Sequence, residues 1–324
     1  MGLVKLMNRV KKTGLFLTGG LGNQLFQFAA ALSFSQKGNI EIFEKPGKPR
    51  LNSKGEPELF SLTVDEIAPI IRRSEDNFLL RKSSGYILRS RIWPNKIEKL
   101  LIIRLVSEFA AAVIQTLNFR NLFFPVSISE LGYKEIRMNK ILKKIFNPFL
   151  IGYFQSWVCP DSVKKDLESL RLVEEGVQLR ELRQEAKLQR PVIIHVRRGD
   201  YKAESTFGLP GETYYREAIA IVDQFYSANS IWVFSDEESE ARKVLSWLPS
   251  ERVKYIADVD GESGASLMAM RLGCAYVIAN STFSWWGAFL SESKEPLVVA
   301  PTPWFIGQEE PSQLIPSNWI RVEY

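Results

Sequence analysis

Cysteine and histidine are almost missing from this chain. Its 324 residues hold two cysteines, Cys159 and Cys274, and one histidine, His195. No Cys-x-x-Cys pair occurs, so the composition excludes a zinc cluster and gives no disulfide framework. No uncharged run approaches the length of a membrane span. Met1 to Lys12 is basic, but Gly14 to Leu17 is too short for the apolar core of a secretory signal. A cytoplasmic-side protein is the expectation. A large excess of one charge is absent too, with 42 Lys+Arg against 37 Asp+Glu. This mild basic excess suits an anionic ligand or an acidic membrane surface and makes no case for nucleic acid. Apolar residues are plentiful. At 45% hydrophobic, 324 residues suggest two domains with full cores.

The rest of the chain is organised around Pro191-Val-Ile-Ile-His-Val-Arg-Arg-Gly-Asp-Tyr201. A short branched apolar run, Val192 to Val196, closed by a polar turn, reads as a parallel strand buried on both faces. Ligands of open α/β sheets bind outside the carboxyl ends of such strands. The turn there carries Arg197, Arg198, Gly199 and Asp200. Paired guanidiniums at that place point to an anion, because their forks match phosphate oxygens. The plainer alternative is an internal Arg–Asp salt bridge. His195 falls inside the strand, where it orients a neighbour or touches the edge of the ligand.

Gly14 to Thr18 predicts a first strand, Gly19-Gly-Leu-Gly22 a turn, and Asn23 to Gln36 an amphipathic helix with Leu25, Phe26, Ala29 and Leu32 on its apolar side. With a strand at Ile40 to Phe43 this opens a βαβ unit with a glycine loop at its first turn. Such a loop brings bare backbone N–H groups to a phosphate or sugar. From Arg72 to Arg104 the chain is basic with apolar residues interleaved. That pattern fits solvated helix faces or a patch leaning on an anionic membrane. Helices are expected near 97–117 and 134–146, a strand within Pro148 to Trp157, and a helical, charged segment over 160–189.

From 190 to 300 strand and helix alternate. Strands are predicted at Val192–Val196, Ile231–Phe234, Val253–Ile256, Ala275–Ala279 and Leu297–Ala300. Helices are predicted at Glu212–Phe225, Glu238–Trp247, Ser263–Arg271 and from the end of Asn280–Gly287 through Ser291. Polar loops close three of these strands, at 197–200, 235–237 and 280–284. Polar groups converging on the carboxyl edge of a parallel sheet are the layout of a nucleotide site.

Three other readings compete. A dinucleotide dehydrogenase would use the glycine loop and an acidic residue such as Glu41 or Glu44, but Leu25 stands where the third glycine position needs a small residue. A metal-dependent transferase would use Asp258-Val-Asp260, although Asp260-Gly261 is also a turn signal. A non-catalytic sugar or nucleotide binder is the third.

At these residues the chain resembles the bacterial alpha-1,2-fucosyltransferase family. Gly19-Gly-Leu-Gly-Asn-Gln-Leu-Phe-Gln27 resembles its N-terminal glycine motif, and Gly152-Tyr-Phe-Gln-Ser156 its mid-chain strand. His195-Val-Arg-Arg-Gly-Asp-Tyr201 is similar to the arginine motif shared with alpha-1,6- and protein O-fucosyltransferases. Phe234-Ser-Asp-Glu237 and Ala279-Asn-Ser-Thr-Phe-Ser-Trp-Trp-Gly-Ala288 resemble the second and third motifs. There are departures. Glu237 replaces the usual second Asp, Tyr276 stands where a His often follows the Cys, and Leu267, beside Ser266, stands where an acidic residue is common.

The resemblance implies an α/β fold of GT-B type, with two Rossmann-like domains facing a central cleft. The expected division is 1–155 on the acceptor side and 156–324 on the donor side, with the last fifteen or so residues packing back on the first domain. It implies transfer of L-fucose from GDP-L-fucose, with inversion and no metal or cofactor, to O2 of a terminal galactoside in a surface glycan. A lipid-linked acceptor, with peripheral contact at the inner membrane face, is part of the same expectation. Arg197 and Asp200 are the expected catalytic residues. Gly20, Gly22, Asn23, His195, Arg197, Arg198, Asp236, Ser266, Thr282, Phe283 and Ser284 are the expected donor-binding set.

Overall fold

The computed structural model describes residues 12–35, 39–43, 48–63, 71–73, 123–128, 147–204, 206–226, 230–307, 309–311 and 313–324. The expected helices near 97–117 and 134–146 lie outside these residues. So does the basic stretch, apart from Arg72 and Arg73. The chain divides into two compact units. The first holds Met1–Leu51 and Thr63–Leu170, the second Asn52–Leu62 and Arg171–Tyr324.

In the first unit, β1 (Lys12–Phe16) leads through α1 (Leu21–Ser35) to β2 (Asn39–Phe43). Leu62–Thr63 (β3) is a two-residue strand outside the two large sheets. With β4 (Ile71–Arg73), β5 (Phe123–Ile128) and β6 (Asn147–Ile151), the first sheet has the order β4-β2-β1-β6-β5, parallel throughout. α1 starts two residues before the expected Asn23. It is not amphipathic in the expected sense, because Gln24 and Gln27 are as deeply buried as Leu25 and Phe26. The expected strand to Trp157 stops at Ile151, and Phe154 takes a left-handed backbone with φ 53°. Two short helices follow, α2 (Val158–Ser162) and α3 (Lys164–Glu168).

The second unit opens with the two-residue strand β7 (Arg171–Leu172) and α4 (Val177–Gln189). Then strand and helix alternate. The order along the chain is β8 (Val192–Val196), α5 (Glu212–Phe225), β9 (Ile231–Ser235), α6 (Glu238–Val244), β10 (Val253–Ile256), α7 (Ser263–Met270), β11 (Ala275–Val277), α8 (Thr282–Phe289) and β12 (Leu297–Thr302). A final strand, β13 (Ile320–Glu323), joins the edge of this sheet beside β12, a pairing that the sequence patterns do not contain. The order is β10-β9-β8-β11-β12-β13, again all parallel. The expected α/β fold of two Rossmann-like units is therefore what the chain adopts.

β8 is buried at all five positions, as its unbroken apolar run requires. Val192, Ile194 and Val196 pack in one cluster with Tyr214, Tyr215, Ala218, Ile219 and Val222 of α5. That packing holds β8 central and brings its carboxyl end, with Arg197, to the sheet's edge.

Candidate active site at the switch point of the second sheet

The second sheet runs outward from β8 in one direction through β9 and β10. It returns to the other side of β8 with β11, β12 and β13. Strand order therefore reverses between β8 and β11, and ligands of open parallel sheets bind outside the carboxyl ends at that reversal. Two of the three polar loops leave from there. Arg197–Asp200 follows β8, and Asn280–Ser284 follows β11. The third, bearing Asp236, follows the neighbouring β9.

The two arginines do different things. Arg198 is buried, and its guanidinium donates to the backbone oxygens of Arg197 (2.9 Å) and Pro210 (2.6 Å). It ties the turn to the loop before α5. The Arg197 side chain is 16% exposed. Its Nη2 donates to Asp200 Oδ1 at 2.6 Å, its Nε lies 3.2 Å from Asp236 Oδ2, and it stacks over the Tyr201 ring at 5.2 Å. Burial pulls its pKa down, but Asp236 and then Asp200 more than offset this, so the guanidinium stays charged. Asp236 also accepts from the backbone N–H of Arg198 at 2.9 Å. A Cβ on Gly199 would sit 2.4 Å from Asp236 Oδ2, so only glycine lets the turn and the carboxylate approach this closely.

His195 is buried behind this turn. Burial, and secondarily the charge of Arg197, push its pKa down to about 3, which keeps the ring neutral. Its Nδ1 is buried without a hydrogen-bond partner among the described residues, and its ring lies 6.3 Å from that of Phe283. The Tyr215 hydroxyl donates to the His195 carbonyl at 2.9 Å.

The expected loop at 280–287 is mostly helix, because α8 already begins at Thr282. Ser281 caps it by accepting from the Phe283 N–H. Thr282 and Phe283 stay half-buried at the helix start, whereas Ser284 is buried and its hydroxyl donates back to Ala279 and Ser281 carbonyls. Sequence reasoning missed Asn280. Its amide donates to the Gly208 and Trp304 carbonyls at 2.8 and 3.2 Å, joining two loops at the site. Its place as the first polar residue after a buried strand was the available signal.

Arg197, Arg198, Asp200, Asp236, His195 and Phe283 are thus brought together. Ser266 is engaged elsewhere, accepting from the Val259 N–H at 3.0 Å. Asp260 is engaged too. Its two carboxylate oxygens accept from the N–H groups of Gln178 and Leu179, both at 3.1 Å, at the start of α4. Gly20, Gly22 and Asn23 lie in the first unit. Gly20 accepts the first helical bond of α1, from the Gln24 N–H, and Gly22 is buried in its first turn. Asn23 Oδ1 accepts from Gln155 Nε2 at 2.8 Å, so the glycine motif and the mid-chain motif meet there.

Residues 13–323 match glycosyl transferase family 11. The chain belongs to that family. It is a glycosyltransferase, and the family match spans the whole run of motifs. It is 29% identical to an alpha-1,2-colitosyltransferase of Escherichia coli, over 95% of this chain and 97% of that protein. It is 28% identical to the O-antigen biosynthesis glycosyltransferase WbnK of Escherichia coli, over 94% and 99%. Among solved structures it is similar to NodZ alpha-1,6-fucosyltransferase co-crystallized with GDP, at 14% identity and a TM-score of 0.47, covering 87% of this chain and 93% of that one. Among the described residues, no helix of this glycosyltransferase is long and apolar enough to cross a membrane.

Proposed function

We propose that this glycosyltransferase inverts the sugar carbon as it moves L-fucose from GDP-L-fucose to O2 of a terminal galactoside of a surface glycan. The observation that carries the reading is Arg197, a charged and partly exposed guanidinium at the reversal of strand order. The acceptor oxygen bonds to the sugar carbon as that carbon's bond to phosphate breaks. The electron pair leaves with GDP, and Arg197 meets the charge that grows on the departing phosphate. The acceptor proton passes to Asp200, the exposed carboxylate beside it. Thr282 and Phe283, half-buried at the start of α8, line the donor's side of the turn. No metal is called for in this scheme, since Arg197 meets the charge of the departing phosphate and Asp260 is committed to α4.

The motif resemblance supports the fucosyl donor and the O2 linkage. The colitosyltransferase relative supports the same linkage with a different sugar, and this is the second reading. One experiment separates them. GDP-fucose and the colitosyl nucleotide are offered with lactosyl and 2-deoxygalactosyl acceptors, with and without chelator, and the products are analysed for linkage. Fucosyl transfer to the lactosyl acceptor alone, in chelator, is expected. Transfer to the 2-deoxy acceptor at an unreduced rate would refute the O2 assignment, and preference for the colitosyl nucleotide would exchange the donor. Loss in chelator restored by Mg²⁺ would overturn the metal-free scheme.

A further inference from the structure

Arg197 is held by two carboxylates of unequal standing. Asp236 has a side chain 22% exposed, accepts from the Arg198 N–H at 2.9 Å and forms an ion pair with Arg197 Nε at 3.2 Å, and it lies so close to Gly199 that a Cβ there would clash with it. Asp200 has a side chain 60% exposed and makes one ion pair, to Arg197 Nη2. Lys202, farther along the turn, is paired with Glu237 at 2.9 Å and lies 3.8 Å from Glu240.

We infer that Asp236 is the fixed positioning residue of Arg197, and that Asp200 is an exchangeable partner which yields the guanidinium to the donor's diphosphate. The inference rests on the nucleotide-donor reading above. An exposed ion pair shifts an equilibrium by about fivefold at most. A diphosphate carries more charge and offers oxygens in pairs to the same fork. It therefore displaces Asp200 from the Nη edge, while the Nε edge stays on Asp236 and the guanidinium stays over Tyr201. Removing Asp236 has the opposite consequence, since Arg197 then loses the partner that aims it. Asp200 is free to take the acceptor's proton only once the donor occupies Arg197.

The test is calorimetric titration of the full chain with GDP and, separately, with inorganic pyrophosphate, with thermal midpoints followed in parallel. Asp200→Asn is expected to bind both about threefold to fivefold more tightly, because a competitor and a like charge are removed. Asp236→Asn is expected to bind both at least about tenfold more weakly. Should Asp200→Asn lower the midpoint, Asp200→Ser supplies the same readout. Unchanged or weaker binding by the Asp200 variants overturns the exchange, and unchanged binding by Asp236→Asn overturns the positioning role. If the unaltered protein binds pyrophosphate but not GDP, the guanosine donor is refuted and the exchange is still read on pyrophosphate. If it binds neither, both fail.

Discussion

The turn after β1 and the turn after β8 leave equivalent places, each at the carboxyl end of a strand beside which the strand order of its sheet reverses. After β1 the chain is held by neutral amides. Gln27 is wholly buried and pairs with both backbone groups of Thr18, at 3.0 and 3.3 Å. Gln24, equally buried, donates to the carbonyls of Gly19 and Arg50. Gly19 takes φ +75°, and a Cβ there would meet Asn23 Nδ2 at 2.7 Å. After β8 the chain is held by charge: Arg198 on carbonyls, and Asp236 bridging Arg198 N–H and Arg197. Neutral side chains that satisfy a buried backbone make a fixed loop. A guanidinium held partly by an exposed carboxylate makes a loop that exchanges partners. One topology thus carries a turn held by neutral amides in the first unit and a turn held by charge in the second, where the proposed chemistry lies.

The contrast breaks most sharply at Arg197. Arg197→Lys keeps the charge but loses the fork that spans Asp200 and Asp236. Turnover is expected to fall by about 2–4 kcal/mol of transition-state stabilisation, by analogy with lost oxyanion donors. The thermal midpoint should move little, because one edge of the side chain faces solvent. Near-wild-type turnover in steady-state kinetics would make Arg197 structural.

The first turn should fail in the reverse way. Gln27→Ala strands the buried N–H and carbonyl of Thr18. Stability should drop by at least about 2 kcal/mol, at ~1–3 kcal/mol for each of the two unsatisfied buried groups. Denaturant unfolding reads this loss, and kcat of the folded fraction should stay near normal. A stable variant with collapsed kcat would move the glycine turn from structure to chemistry.

The two turns also differ in how much of them the sequence shows. The strand Val192–Val196 and the helix Glu212–Phe225 stand where periodicity puts them, since both depend on local apolar pattern. The charged residues of the second turn are legible by type and place. Gln24 and Gln27 are not, because an amide inside a helix reads as a solvent-facing polar group until the backbone it serves is known. Strand order is tertiary, so the reversal between β8 and β11 was invisible, as was the pairing of β13 beyond a turn-rich segment. The start of α8 was misplaced because Ser281 and Thr282 read equally well as loop and as cap.

The smallest effect is a pH dependence that the comparison assigns to one unit. His195 is the sole histidine, so the first unit holds none. Unfolded, it titrates near its ordinary 6.5. Folded, burial first and Arg197 second hold it at about 3. The fold binds the neutral ring, so the unfolded chain takes up the proton first as pH falls. The contribution is fully present above pH 6.5 and is lost progressively between 6.5 and 3. By pH 5 that amounts to about 2 kcal/mol, at 1.36 kcal/mol per pH unit. Tryptophan fluorescence is the suitable probe, since all tryptophans but Trp93 and Trp157 lie in the second unit. Urea midpoints followed this way should fall between pH 7 and pH 5, and His195→Gln should flatten most of that slope. If the slope survives in the variant, the acid sensitivity does not arise from the buried ring. The neutral histidine behind the second turn would then be a bystander to the acid response.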